Sequence, residues 1–194
     1  MNKAFLDIET TGLNSCMHEI IEVAIIFDDR EDYHRFIRPK RIDLADPVAL
    51  RINRFDDRSG EWSDSITHEQ LAFDLACLLN NRIIIGHNPS FDMSFIHELL
   101  EQHGERIQSR NVIIDTVTLA HEHLSPLGLK RLSLDSIRSY LGWCQIGAHT
   151  ALKDAQDVQR LYNTLLRATF FDRLNWRLKS KQRAVTSRKE AAKR

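Results

Sequence analysis

The chain has 194 residues, 42% hydrophobic and 28% charged, with 27 basic and 27 acidic side chains, which suits one globular domain plus an appendage. No apolar run approaches the roughly 18 residues of a membrane span, and the N-terminus enters an apolar strand at once without a signal-peptide pattern. The three cysteines, Cys16, Cys77 and Cys144, lie far apart and outside any Cys-x-x-Cys arrangement, which argues against a disulfide framework or a zinc site and predicts a reducing, cytoplasmic setting.

In chain order, residues 3–9 read as a buried strand, 19–27 as a second and 33–37 as a third. The run Asp28 to Glu31 makes the turn of a hairpin between the last two. Residues 39–65 are irregular apart from a short helix near 47–52. Thr67 opens a helix running to Leu79, with Gln70 at the capping-box position. A fourth strand follows at 82–85, then a helix from Ser90 to His103 stopped by Gly104. A fifth strand lies at 112–114, and helices at 115–123, 131–141 and 150–171 complete the chain. Strands first, then strands alternating with helices, predict an α/β fold: a mixed five-stranded sheet flanked by helices.

The neutral total hides an uneven spread. From Asn175 onward there are eight Lys or Arg against one acid, so the first 174 residues hold 19 bases and 26 acids, a formal −7. The expected division is a domain at 1–174 and a mobile basic tail at 175–194. An acidic body does not resemble a general DNA coat; it suits an enzyme that gathers cations.

Strand alternation places Asp7 and Glu9 on one face with Phe5, and Ala4, Leu6 and Ile8 on the other. Alone, this pair reads equally as a solvated strand end. On a wheel of about 100° per residue, Asp92 falls within the apolar arc of Phe91, Met93, Phe95, Ile96, Leu99 and Leu100, although an acid in a first turn is also satisfied by helix amides. In the last helix Asp154 lies inside the stripe of Ala151, Ala155, Val158, Leu161 and Leu165, whereas Asp157 lies outside it and is expected to be solvated. His149 sits just before that helix. Carboxylates facing a core are costly unless paired or metal-bound, and gathered in one pocket they raise one another's pKa values. Divalent cations resolve this: oxygen ligands select Mg²⁺ or Mn²⁺, and two such ions about 3.5–4 Å apart form a device for cutting phosphodiesters.

Read plainly, His121 and His123 are surface residues, His87 and Asn88 are core or supporting residues, Asp115 is a helix cap, and Trp62, Trp143 and Trp176 are core or groove packing residues.

Three segments then form a pattern: Asp7, Glu9, Thr10, Thr11 and Gly12; His87, Asn88, Phe91 and Asp92; and His149, Ala151, Asp154 and Ala155. In this order they resemble the three motifs of the DEDDh (DnaQ-like) 3′–5′ exonucleases, the group that includes the proofreading epsilon subunit of bacterial replicative polymerase and ribonuclease T. The resemblance spans about residues 3–170. It implies a ribonuclease H-like fold, with Asp7, Glu9, Asp92 and Asp154 holding two Mg²⁺ or Mn²⁺ ions and His149 as general base. It also implies contact of Thr10, Thr11, Gly12 and Leu13 with the terminal nucleotide, Leu13 as an apolar wedge. The function implied is trimming of the 3′ end of single-stranded nucleic acid, DNA favoured over RNA, with a polymerase as candidate partner and no membrane. The alternatives are an exoribonuclease of the ribonuclease T or oligoribonuclease type, and a non-catalytic docking module. The intact five-residue set argues against the last.

Overall fold

The computed structural model describes residues 1–178. Five strands, β1 (Asn2–Thr10), β2 (Ile20–Phe27), β3 (Tyr33–Phe36), β4 (Arg82–Gly86) and β5 (Val112–Asp115), form one sheet in the order β3-β2-β1-β4-β5. β2 runs antiparallel to β1 and β3, while β4 is parallel to β1 and β5 to β4. The mixed five-stranded sheet predicted from sequence is therefore present. Parallel neighbours require crossovers. The β3–β4 interval contains α1 (Pro47–Ile52) and α2 (His68–Leu78), and α3 (Pro89–Gln102) joins β4 to β5. α4 (Thr116–Leu124), α5 (Leu134–Leu141) and α6 (Ala151–Arg167) follow, with short 3₁₀ turns at Ile42–Leu44, Asp56–Trp62 and Ser125–Leu127.

The chain divides into two compact units. The first comprises Met1–Asp115 with Gly147–Gln159, the second Thr116–Ile146 with the chain from Arg160. In the first, all eight residues of β2 are buried, the pattern of a strand covered on both faces. Ala4, Leu6 and Ile8 join Val23, Ile25, Leu71, Leu75, Ile96 and Leu100 in the main core, each large aliphatic side chain contributing about 1.5–3 kcal/mol by its burial. Phe5, Asp7 and Glu9 are left for the opposite face. At the start of α2 the Thr67 hydroxyl accepts the Gln70 N–H at 3.3 Å. The Gln70 side chain donates to Asp74 Oδ1 at 2.7 Å, so only the Thr67 arm of the predicted capping box is seen.

In the second unit Ala120, Leu124, Leu134 and Ile137 are buried. Arg138, with no exposed surface, pairs with Asp135 at 2.9 Å, and the Tyr140 hydroxyl donates to the Leu127 carbonyl at 3.0 Å. Trp143 packs under the Arg160 guanidinium, 4.3 Å from the ring centroid. His123 is partly buried rather than a free surface residue; its Nδ1 lies 3.0 Å from the Arg173 guanidinium.

The helix predicted over 150–171 is two helices. α6 stops at Arg167, and a further helical stretch covers 170–178. The cause is a capping signal at Thr169: its N–H and hydroxyl donate to Asp172 Oδ2, while its Oγ1 accepts the Asp172 N–H at 3.2 Å. The domain boundary placed at 174 thus falls within a helical stretch, and the mobility expected of the tail lies, from residue 179, outside the described residues. The three cysteines are free and exposed. Among the described residues no helix is long and apolar enough to cross a membrane.

Candidate active site

β1 outruns β4. Its pairing with β4 ends at Phe5↔Ile85, whereas its pairing with β2 continues through Asp7↔Ala24 and Glu9↔Glu22. After Gly86 the chain turns sharply: Asn88 adopts a left-handed φ of 67°, and Pro89 opens α3. A side chain at Gly86 would meet the Pro89 Cβ at 2.8 Å, so this turn requires glycine. The Asn88 N–H is held by Asp115 Oδ1 at 3.0 Å. That bond gives Asp115 a role in the turn into α3 beyond the cap read from sequence. The turn brings the first turn of α3 alongside β1 where β4 has ended. There Asp92 Oδ1 accepts the Ile8 N–H at 3.1 Å.

Asp154 lies in the first turn of α6, its N–H bonded to the Thr150 carbonyl at 3.0 Å. Thr150 caps that helix by accepting the Lys153 N–H at 3.3 Å. One carboxylate oxygen each of Asp7, Glu9 and Asp154 lies within 4.8 Å of the other two. Asp92 is outside that triplet, yet close enough to act on Asp7. Asp92 and Asp154 are buried, while Asp7 and Glu9 keep part of their surface open.

The electrostatics follow from this crowding. Burial pushes the Asp7 carboxyl well above the usual range, and Asp92, Asp154, Glu9 and Glu22 push it further. Burial, then Asp154 and Glu22, raise Glu9 to about 8, with the Arg58 guanidinium opposing. Burial raises Asp92 to about 7 against the relief of the Ile8 N–H. Such a set does not hold its full negative charge at neutral pH without a counter-cation. An all-oxygen, half-open, self-repelling donor set fits a hard divalent ion.

These shifts predict how metal-free stability depends on pH. The raised groups bind protons in the folded chain that the unfolded chain has already released. Their contribution is therefore complete below the ordinary value of 4.5 for Glu9 and is lost as pH rises towards about 8. A melting series in EDTA should show Tm falling by several degrees across that window, at roughly 2–4 °C per kcal/mol for a chain of this size. Mg²⁺ or Mn²⁺ should restore it at pH 8. A flat or rising profile would contradict the crowded cluster.

His149 is half-buried on the loop 147–150, with a left-handed φ of 62°. That conformation costs a residue other than glycine about 1–2 kcal/mol. The Thr150 hydroxyl donates to the Gly147 carbonyl at 2.9 Å, and Arg54 Nη2 donates to the Ala148 carbonyl at 3.3 Å. The residues after Glu9 are tied down differently. The Thr10 hydroxyl donates to the Gly12 carbonyl at 2.7 Å, and Thr11 Oγ1 accepts the Glu19 N–H at 2.9 Å. The Thr10 and Thr11 carbonyls accept from Asn53 Nδ2 at 3.1 Å and the Asp46 N–H at 2.7 Å. Both threonines are buried, whereas Leu13 is 79% exposed. A side chain at Gly12 would run into the His18 ring at 2.5 Å.

Several residues of this region do not stand out in the sequence. Glu22, fully buried and opposite Glu9, pairs with His34 Nε2 and Arg58 Nη2, each at 2.9 Å. An acid inside the apolar run Ile20–Phe27 is the available signal. Arg58 also stacks on Phe36 and Trp62, 5.4 and 5.3 Å from their centroids. Asp157 corrects an expectation: it is buried, 2% exposed, and paired with Lys153 one turn earlier. The Lys153 ammonium offsets part of the cost of burying that charge.

The sheet order and the carboxylates gathered where its central strand outruns a neighbour define the class: an α/β protein of ribonuclease H-like fold. Residues 4–162 match the RNase T family, described as exonuclease, and the chain belongs to that family, as the DEDDh motifs imply. It is 30% identical over 162 residues to a PolC-type DNA polymerase III of Thermotoga petrophila, covering 81% of this chain and 11% of that protein. It is also 30% identical over 171 residues to the DNA polymerase III subunit epsilon of Buchnera aphidicola, covering 81% and 69%. Exonuclease I superposes with a TM-score of 0.75 at 19% identity, over 90% of this chain and 42% of that one. Its E. coli complex with a dT13 oligonucleotide gives 0.72 at 19% identity, over 89% and 42%. The chain thus spans a small part of the PolC-type relatives and under half of exonuclease I.

Proposed function

We propose that the protein is a 3′–5′ exonuclease that releases 5′-mononucleotides from the 3′ end of single-stranded DNA. The observation that carries this reading is the convergence of Asp7, Glu9 and Asp154 within 4.8 Å, with Asp92 beside them. These four carboxylates would hold two Mg²⁺ or Mn²⁺ ions. Bound there, the ions would stabilise charge on the phosphoryl oxygens and acidify a water molecule.

The chain's own residues do the rest. The Ile8 N–H fixes the orientation of the Asp92 carboxylate beside Asp7. An imidazole nitrogen of His149 takes the proton from the attacking water and returns it to solvent. The water oxygen forms the new bond to phosphorus as the bond to O3′ breaks, and O3′ takes a proton from solvent. The products are a 5′-mononucleotide and a strand shorter by one residue. Leu13, held out by the bonds of Thr10, Thr11 and Gly12, would lie against the terminal base.

DNA is favoured because the relatives are DNA polymerase III subunits and exonuclease I has been seen with dT13. The same relatives suggest a polymerase as partner. The match to the RNase T family supports a second reading, an exoribonuclease. One experiment tests both: a time course on a 5′-labelled single-stranded DNA oligomer and its RNA counterpart with Mg²⁺, Mn²⁺ or EDTA. A ladder shortening from the 3′ end, absent in EDTA and faster on DNA, is expected. Faster RNA cleavage selects the second reading, and no cleavage of either with any metal overturns both.

A further inference from the structure

Beside the carboxylates lies a cleft of about 330 Å³, lined by Glu22, His34, Arg54, Arg58, Thr150 and Leu152 among others. Two of its walls belong to elements that carry site residues. Glu22 is the cross-strand partner of Glu9, and Thr150 and Leu152 lie within the segment between His149 and Asp154. The two arginines have different positions. Arg58 is committed: it binds Glu22 and Glu61, donates to the Asn53 carbonyl at 3.3 Å and stacks on two aromatic rings. Arg54 is exposed, forms no ion pair among the described residues, and donates to the Ala148 carbonyl, next to His149. A guanidinium carries five donors in a fork that matches phosphate oxygens, and this one leaves most of them unused. Its backbone is also left-handed, with φ of 55°, a conformation that favours glycine. An arginine there sets a cation next to the loop that carries His149, in a cleft lined also by the cross-strand partner of Glu9.

We propose that Arg54 is a substrate-binding residue that contacts a backbone phosphate of the polynucleotide as its 3′ end enters the site. The contact reads charge and not base, so it serves every sequence. This inference rests on the exonuclease reading.

The test compares wild type, Arg54→Gly and Arg54→Lys on a 5′-labelled oligothymidylate with Mg²⁺ across a range of salt. Arg54→Gly should raise KM by about 10-fold or more, as loss of a charge-assisted bond implies, with kcat within about 2-fold. Its log–log salt slope of kcat/KM should fall by about 0.7, the value for one phosphate contact on a single strand. Arg54→Lys should recover most of the slope, and the Tm of Arg54→Gly should equal or exceed that of wild type because the backbone is relaxed. An unchanged KM and slope would overturn the proposal, as would a loss confined to kcat, which would make Arg54 a prop for the His149 loop. Wild type is the control: if it cleaves, the variants report on Arg54 alone, and if it neither binds nor cleaves, the exonuclease reading itself has failed.

Discussion

Asp7→Asn should lower kcat by about 10³-fold or more and at the same time make the metal-free protein more stable at pH 8. The loss follows from removing one of the three carboxylates that lie within 4.8 Å; a cation's stabilisation of a phosphoryl transition state is worth several kcal/mol, and each 1.36 kcal/mol is tenfold in rate. The gain follows from the electrostatics. Asp7 suffers burial and four acidic neighbours, and a neutral amide of the same shape removes that conflict. Single-turnover cleavage and melting curves with and without Mg²⁺ measure both. The stabilisation should vanish when Mg²⁺ is added, because the wild type then gains a cation that the variant holds poorly. Near-normal turnover would remove Asp7 from the site. A fall in metal-free Tm at pH 8 would show that the carboxylate contributes structure as well as charge.

His149→Ala should reduce kcat by about 10²–10⁴-fold, the usual worth of a positioned general base, while calorimetric Mg²⁺ or Mn²⁺ affinity stays within a few-fold of wild type. The two effects separate because His149 lies on the loop before α6 and outside the carboxylate triplet. If metal affinity fell together with rate, His149 would be a ligand. Rescue of the variant by added imidazole would strengthen the assignment as a base.

Most of the sheet is legible in the sequence because β1, β2, β4 and β5 are apolar runs, and Thr67 and Gly104 bound their helices as local chemistry requires. Asp92 and Asp154 are legible because a carboxylate on an apolar helical arc contradicts its surroundings. What stays hidden depends on contacts between distant segments. Nothing local reveals that Glu22 faces Glu9, since that comes from strand register. The segment 39–65 is nearly opaque. Its short helix at 47–52 can be read, but the packing of Trp62 against Phe36 and Phe55, at centroid distances of 4.9 and 4.7 Å, assembles residues with no periodicity. The break at Ala168 is masked although Thr169 and Asp172 have capping spacing, because the apolar stripe runs on across them.

The early end of β4 has a practical consequence. The Ile8 amide proton points at a carboxylate whose pKa is raised to about 7, where a longer β4 would have offered a carbonyl of fixed charge. Its NMR chemical shift should therefore titrate near neutrality in metal-free protein and stop titrating once a cation holds Asp92 ionised. The backbone contains its own indicator of cation loading, readable at a single resonance with no nucleic acid present.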